Sequence, residues 1–180
     1  MPAIDSQSES PVDAEAARHL AAVTQDGLAL QYVPKSRCTA EICLAAVQQT
    51  GRALVWVPEP QRTADLCRAA VAQNGRTLFW VPKALRTPEL CLAAVQQDGS
   101  ALEFVPASLL TAELCRAAVT QAGWALRHGP PSLRTPELCR AAVLQDPEAL
   151  RFVPEEVLRV ALKAFASPAA LSGDVAAPVP

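Results

Sequence analysis

The stretch RTPELCLAAVQQDG, residues 86–99, decides how the rest of the chain is read. It opens as a helix should. The Thr87 hydroxyl is placed to accept from backbone N–H groups that a first helical turn leaves free. Pro88 follows at the position where a helix tolerates proline best. Glu89 then puts negative charge in the first turn, which the helix dipole favours. Cys91 sits in the middle of an alanine-rich run, and Gly99 closes the stretch.

Near-copies recur along the chain. Ala-Ala-Val ends at Val23, Val47, Val71, Val95, Val119 and Val143, every 24 residues without an insertion. Gln25, Gln49, Gln73, Gln97, Gln121 and Gln145 follow in register, and leucine holds one position from Leu30 to Leu150. Glycine closes five units, and Pro147 stands there in the sixth. Val-Pro ends five units, whereas the fifth reads His128-Gly129-Pro130-Pro131, losing the aromatic and the valine. That lapse reads as a tolerated packing defect or, alternatively, as a bend that shapes a groove. Thr39, Thr63, Thr111 and Thr135 repeat the cap of Thr87, each with an acid two residues on. The spacing predicts a helix of about 11 residues, ended by a left-handed glycine. Its apolar stripe in the second unit is Ile42, Cys43, Ala46 and Val47.

The second half of each unit is short and strand-prone, as in ALVWVP from Ala53 to Pro58. A strand there would give a strand-plus-helix horseshoe. The alternative is a short second helix, because Leu54, Val57 and Gln61 fall at i, i+3 and i+7, with leucine at the last site in Leu85, Leu109 and Leu133. Proline interrupts it or makes it restart. The fold expected is an all-α, right-handed-type solenoid of six 24-residue helix–turn–short-helix repeats. Such units cannot bury their own apolar faces and must stack. The repeat domain spans residues 13–166, between disordered tails at 1–12 and 167–180. Arg18 and His19 suit a solvated first face, and residues 155–166 a closing helix with Leu158, Ala161, Leu162 and Phe165 on one side.

The unit is similar to a bacterial repeat family catalogued as domain of unknown function 4116. The likeness rests on the pattern Glu-Leu-Cys-x-Ala-Ala-Val-x-Gln-x-Gly-x-Ala-Leu-x-x-Val-Pro and covers roughly residues 13 to 158. It implies a helical tandem repeat of the kind common in bacteria that live with eukaryotic hosts, and brings no catalytic residues. Val-Pro stands where the family would have a smoother helical run.

Cys43, Cys67, Cys91, Cys115 and Cys139 recur every 24 residues, one per helix. Stacked helices lie ~8–10 Å apart, too far for one zinc to gather neighbouring sulfurs or for a disulfide to form. These cysteines read as small apolar filler. Cys38 replaces an arginine or leucine just ahead of the cap and is the candidate exposed thiol. Arg62–Asp65, Arg86–Glu89 and Arg134–Glu137 are spaced as i, i+3 ion pairs.

Function in repeat scaffolds is sought where units differ. Arg68, Arg116 and Arg140 share a position otherwise held by leucine; Trp124 stands among polar residues, and Phe79 replaces Gln31, Val55 or Glu103. These five are the candidate partner-binding residues. The function expected is a non-enzymatic scaffold for protein–protein interaction; a Ser-rich N-terminus ahead of it would suit an effector delivered to a host. The alternative is a repeat-based nucleic-acid reader. It sits poorly with a net charge of −2 and with 16 basic against 14 acidic residues between 14 and 163. No phosphate loop, nucleophile–base pair or metal cluster stands in the sequence, so neither cofactor nor metal is expected. With no apolar run near ~20 residues, no membrane partner is expected either. Lack of a secretory signal peptide makes the cytoplasm the expected compartment, or the host cell if the chain is exported.

Overall fold

A computed structural model describes the backbone of residues 11–166, with side-chain burial for residues 14–160. Its α-helices are α1 (Pro11–Gln25), α2 (Ala40–Gln49), α3 (Ala64–Gln73), α4 (Pro88–Gln97), α5 (Ala112–Gln121), α6 (Pro136–Gln145) and α7 (Glu155–Ala166). No strand occurs among the described residues. The fold is an all-α solenoid, and the strand-plus-helix alternative is excluded. Helices α2 to α6 run 10 residues, one fewer than expected. All five begin on the anticipated cap: the hydroxyls of Thr39, Thr63, Thr87, Thr111 and Thr135 accept from the backbone N–H three residues on, at 3.2–3.3 Å.

The second half of each unit is helical but not α. It is a six-residue 3-10 helix, as in Gly51–Trp56, Gly75–Trp80 and Gly99–Phe104. In units one, two, three, four and five a three-residue 3-10 turn follows, such as Glu59–Gln61. Proline separates the two. It disfavours α geometry in the residue before it, so Val57 is extended at φ −67°, ψ 127° and Pro58 continues at φ −56°, ψ 138°. A 3-10 helix turns every three residues, and Gly51, Leu54 and Val57 accordingly form one buried edge. Leu30, Leu54, Leu78, Leu102 and Leu126 are each at most 1 % exposed, packed beneath the α-helix row with Val47, Cys43, Ala46 and their equivalents. Each such side chain contributes ~1.5–3 kcal/mol.

The glycines do not end the α-helices in a left-handed turn. No described residue has positive φ; α2 ends on extended Thr50 at φ −150°, ψ 123°. Glycine instead begins the 3-10 helix, where the next unit's α-helix presses on it. A β-carbon on Gly51 or Gly99 would stand 2.5 Å from the carbonyl oxygen of Ala70 or Ala118. Gly27, Gly75 and Gly123 meet Ala46, Ala94 and Ala142 in the same way. The sixth unit has Pro147 here, and α7, the next helix, starts out of the 24-residue register.

Two polar contacts complete the seams between units two and three, three and four, and five and six. The glutamine after Ala-Ala-Val reaches back to the preceding unit. Gln73 Oε1 accepts from Gly51 N–H at 2.8 Å while its Nε2 donates to the carbonyls of Val47 and Gln48 at 2.8 and 2.9 Å. Gln97 and Gln145 likewise accept from Gly75 and Gly123. The second contact replaces the expected arginine–acid pairs, which do not form. Arg86 donates from Nε to Val81 O (2.9 Å), from Nη2 to Phe79 O (3.1 Å) and from Nη1 to Phe104 O (2.7 Å) in the next unit. Arg62 and Arg134 clip Trp80 and Phe152 in the same manner. A guanidinium's rigid fork of donors suits three fixed carbonyls far better than one mobile, exposed carboxylate.

Leu110 stands where the seam between units four and five would have this clip. Leu110→Arg is expected to supply it, stabilising the protein by about 1 kcal/mol and raising the melting temperature by about 3 °C. A lower melting temperature would show that the half-buried Leu110 contacts matter more than the clip.

The ends differ from the middle. Helix α1 begins at Pro11, inside the segment expected to be a tail; residues 1–10 and 167–180 lie outside the described residues. Arg18 is exposed, as anticipated, and His19 is half-buried with Nε2 3.8 Å from Glu15. The expected closing helix forms as α7, with Leu158 half-buried; the side chains of Ala161, Leu162 and Phe165 lie outside the described residues. Helix α7 leaves Leu144 and Leu150 of the last unit 76 % and 52 % exposed.

Candidate functional site

The 3-10 row presents side chains in columns. Every six-residue 3-10 helix ends on an aromatic or histidine: Tyr32, Trp56, Trp80, Phe104, His128 and Phe152. The backbone fixes this column, because the carbonyls of Trp80, Phe104 and Phe152 are held by arginine clips. Trp56 and Trp80 remain 44 % and 40 % exposed although the position is aromatic in five of the six units. Beside them run a column of Leu28, Arg52, Arg76, Ser100, Trp124 and Glu148, and one of Gln31, Val55, Phe79, Glu103, Arg127 and Arg151.

These columns frame a cleft of about 490 Å³ across units two to four, lined by Arg52, Val55, Asn74, Arg76, Thr77, Phe79, Trp80 and Phe104. Phe79 is 51 % exposed and is buttressed edge-on by Trp80, centroid distance 4.7 Å, and by Phe104 at 5.2 Å. Asn74 caps the 3-10 helix, its Oδ1 accepting from Arg76 N–H at 3.0 Å, so its amide NH₂ remains a donor. Among the described residues neither Arg52 nor Arg76 forms an ion pair. The cleft thus has an aromatic wall and a donor-rich wall.

The five sequence candidates divide between two surfaces. Phe79 lies in the cleft. Trp124, 37 % exposed, occupies the same column as Arg52 and Arg76 but in unit five, with the Arg127 guanidinium 5.7 Å from its ring centre and His128 5.9 Å away. Arg68, Arg116 and Arg140 are exposed on the α-helix row, where Arg68 pairs with Asp65 at 3.1 Å and lines a separate cleft with Leu85, Thr87 and Glu89. The cleft that holds the aromatics is lined by none of these three arginines. The fifth unit makes no bend: Gly129 at φ −71°, ψ 138° and Pro130 follow the path of Val57 and Pro58, and Gly129 O still accepts from Arg134 Nε. His128 Nε2 is buried without a hydrogen-bond partner, and burial, then the neighbouring Arg127, lower its pKa.

All six cysteines are free and buried. Cys38, expected to be exposed, is only 3 % exposed; its thiol points at the carbonyls of Val33 and Pro34, at 3.8 and 3.5 Å, because the arginine it replaces is itself half-buried in the seam. Burial raises the pKa of every one, and with the adjacent Cys38 it pushes Cys43 up to about 12. Thiolate, the reactive form, is therefore scarce at neutral pH. Thiol labelling of the folded protein is expected to modify less than one cysteine in the time that modifies all six after unfolding. Rapid labelling of the folded chain would contradict the packed row. Among the described residues, no group of three His, Cys, Asp or Glu side chains could hold a metal ion.

The model of the family described as domain of unknown function DUF4116 matches residues 20–60, 64–110 and 87–134, more than half of the chain. The chain belongs to this family. The second and third matches each span about two of the 24-residue units and are offset by about one. No curated protein and no solved structure matches the chain. In this DUF4116 protein the third match begins at Thr87, the residue that opens the unit read first. Among the described residues no helix is long and apolar enough to cross a membrane.

Proposed function

We propose that this chain is a non-enzymatic repeat scaffold that holds a protein partner on its 3-10 face, across units two to four. The Phe79–Trp80–Phe104 cluster at the edge of the cleft, with Phe79 and Trp80 exposed and Phe104 half-buried, carries this reading. Half-exposed tryptophan and phenylalanine locked against one another lose little entropy on binding, and aromatics with arginine dominate binding hot spots. Repeat frames favour such use: seam contacts hold the backbone constant while Val55, Phe79 and Glu103 differ at one site. A polynucleotide would need cations along its whole track, whereas the column beside the aromatics runs Arg52, Arg76, Ser100, Trp124, Glu148.

A photo-crosslinking residue placed at Phe79, and separately at Arg116, tests the face inside the cell. Protein adducts at the first site and none at the second are expected. Adducts confined to Arg116, or to nucleic acid, would overturn the proposal.

A further inference from the structure

The chemistry of the cleft narrows the partner, given the proposed scaffold function on which this step rests. We propose that the cleft binds an extended, proline-containing protein segment that carries acidic residues and lies in the polyproline II conformation across Phe79, Trp80 and Phe104.

Spacing argues first. The six-residue 3-10 helices of units two, three and four end on Trp56, Trp80 and Phe104, and units set by packed helices repeat every ~8–10 Å. A polyproline II strand completes a turn in three residues, about 9.3 Å. Every third residue of such a strand therefore meets one column aromatic per unit, Trp80 and then Phe104, and proline rings pack on the exposed Phe79 that sits between them. The donors argue second. Polyproline II has no internal hydrogen bonds, so its carbonyls are free to accept from Arg52, Asn74 and Arg76. An α-helix has already satisfied its own carbonyls and offers that wall little. Charge argues third. Arg52 and Arg76 are exposed and without carboxylate partners among the described residues, while Glu103 stands one unit further on. A ligand with carboxylates over units two and three matches this pattern; a uniform polyanion does not.

Short synthetic peptides of repeating Pro-Pro-Glu, Gly-Gly-Glu and Pro-Pro-Lys, and an oligothymidylate, are titrated into the full chain. The readout is the Trp56 and Trp80 indole N–H resonances. Saturable shifts are expected with Pro-Pro-Glu alone. Phe79→Ala and Arg76→Glu should each weaken that binding about tenfold, with Arg116→Glu unchanged and all three variants keeping the parent melting curve. Should a variant fail to fold, the peptide comparison on the parent chain still decides. No shift with Pro-Pro-Glu, equal binding of Gly-Gly-Glu, or tighter binding of the oligonucleotide would overturn the inference. Protein cross-links at Phe79 combined with silent peptides would reject the polyproline chemistry and leave the scaffold function standing.

Discussion

Gly99→Val is expected to destabilise the protein by about 3 kcal/mol or more, read as a fall in denaturation midpoint. Gly99 lies between the fourth and fifth units, and its α-carbon faces the Ala118 carbonyl of α5. A β-carbon there would stand 2.5 Å from that oxygen and 2.9 Å from Gln121 Cβ. Neither obstacle is the free end of a side chain, so relief requires the two units to part. Parting exposes Leu102, Val95 and Cys115, each at most 1 % exposed in the intact stack. The glycine is not needed for its backbone angles, since no described residue has positive φ. Alanine should therefore cost nearly as much as valine, and Pro147→Gly, where α7 follows out of register, almost nothing. A mild Gly99→Ala would show that the seam yields easily.

Arg86→Met is expected to cost about 2–4 kcal/mol, more than a surface charge normally contributes. The methionine keeps most of the aliphatic stem and removes the guanidinium. Three carbonyls, of Phe79, Val81 and Phe104, then lose their donor in a half-buried seam. Because Glu89 is not its partner, Glu89→Gln should leave stability within a few tenths of a kcal/mol. The pair of variants separates the two accounts of this arginine. If both cost the same small amount, the i, i+3 ion pair is the better description and the clip is incidental.

The α-helices were legible because their signals are local. Threonine cap, first-turn acid and the Ile42–Cys43–Ala46–Val47 stripe all lie within the helix they specify. The period of 24 then made stacking and a packed cysteine row necessary. What stayed hidden was the geometry between units. Over a single i, i+3 step, periods of 3.0 and 3.6 diverge by less than one position, so the 3-10 helices were indistinguishable from a short α-helix. The glycine after each helix matches a left-handed cap by its local context; the Ala carbonyl that excludes a side chain lies in the next unit. Arg86 beside Glu89 advertises an ion pair, whereas backbone carbonyls are present at every residue and leave no mark in sequence. Cys38 was misjudged by the same route, since exposure was inferred from the arginines it replaces. Of the candidate site, Phe79 was visible as a departure from its column. The aromatic column itself was overlooked because a recurring aromatic was taken for packing, yet Trp56 and Trp80 are both exposed.

The scaffold depends on seams in which each unit satisfies groups that its neighbour cannot. Native-state hydrogen exchange at the glycine amides measures this most directly. Gly51, Gly75 and Gly123 each open a 3-10 helix, where a first N–H ordinarily has no partner within its own helix. Here their donors are taken by Gln73, Gln97 and Gln145 of the following unit. These three amides should exchange as slowly as those in the middle of α3 and α4, and Gln97→Leu should release Gly75 alone before any global loss of structure. Exchange at the rate of an unprotected loop in the parent chain would contradict the coupled stack.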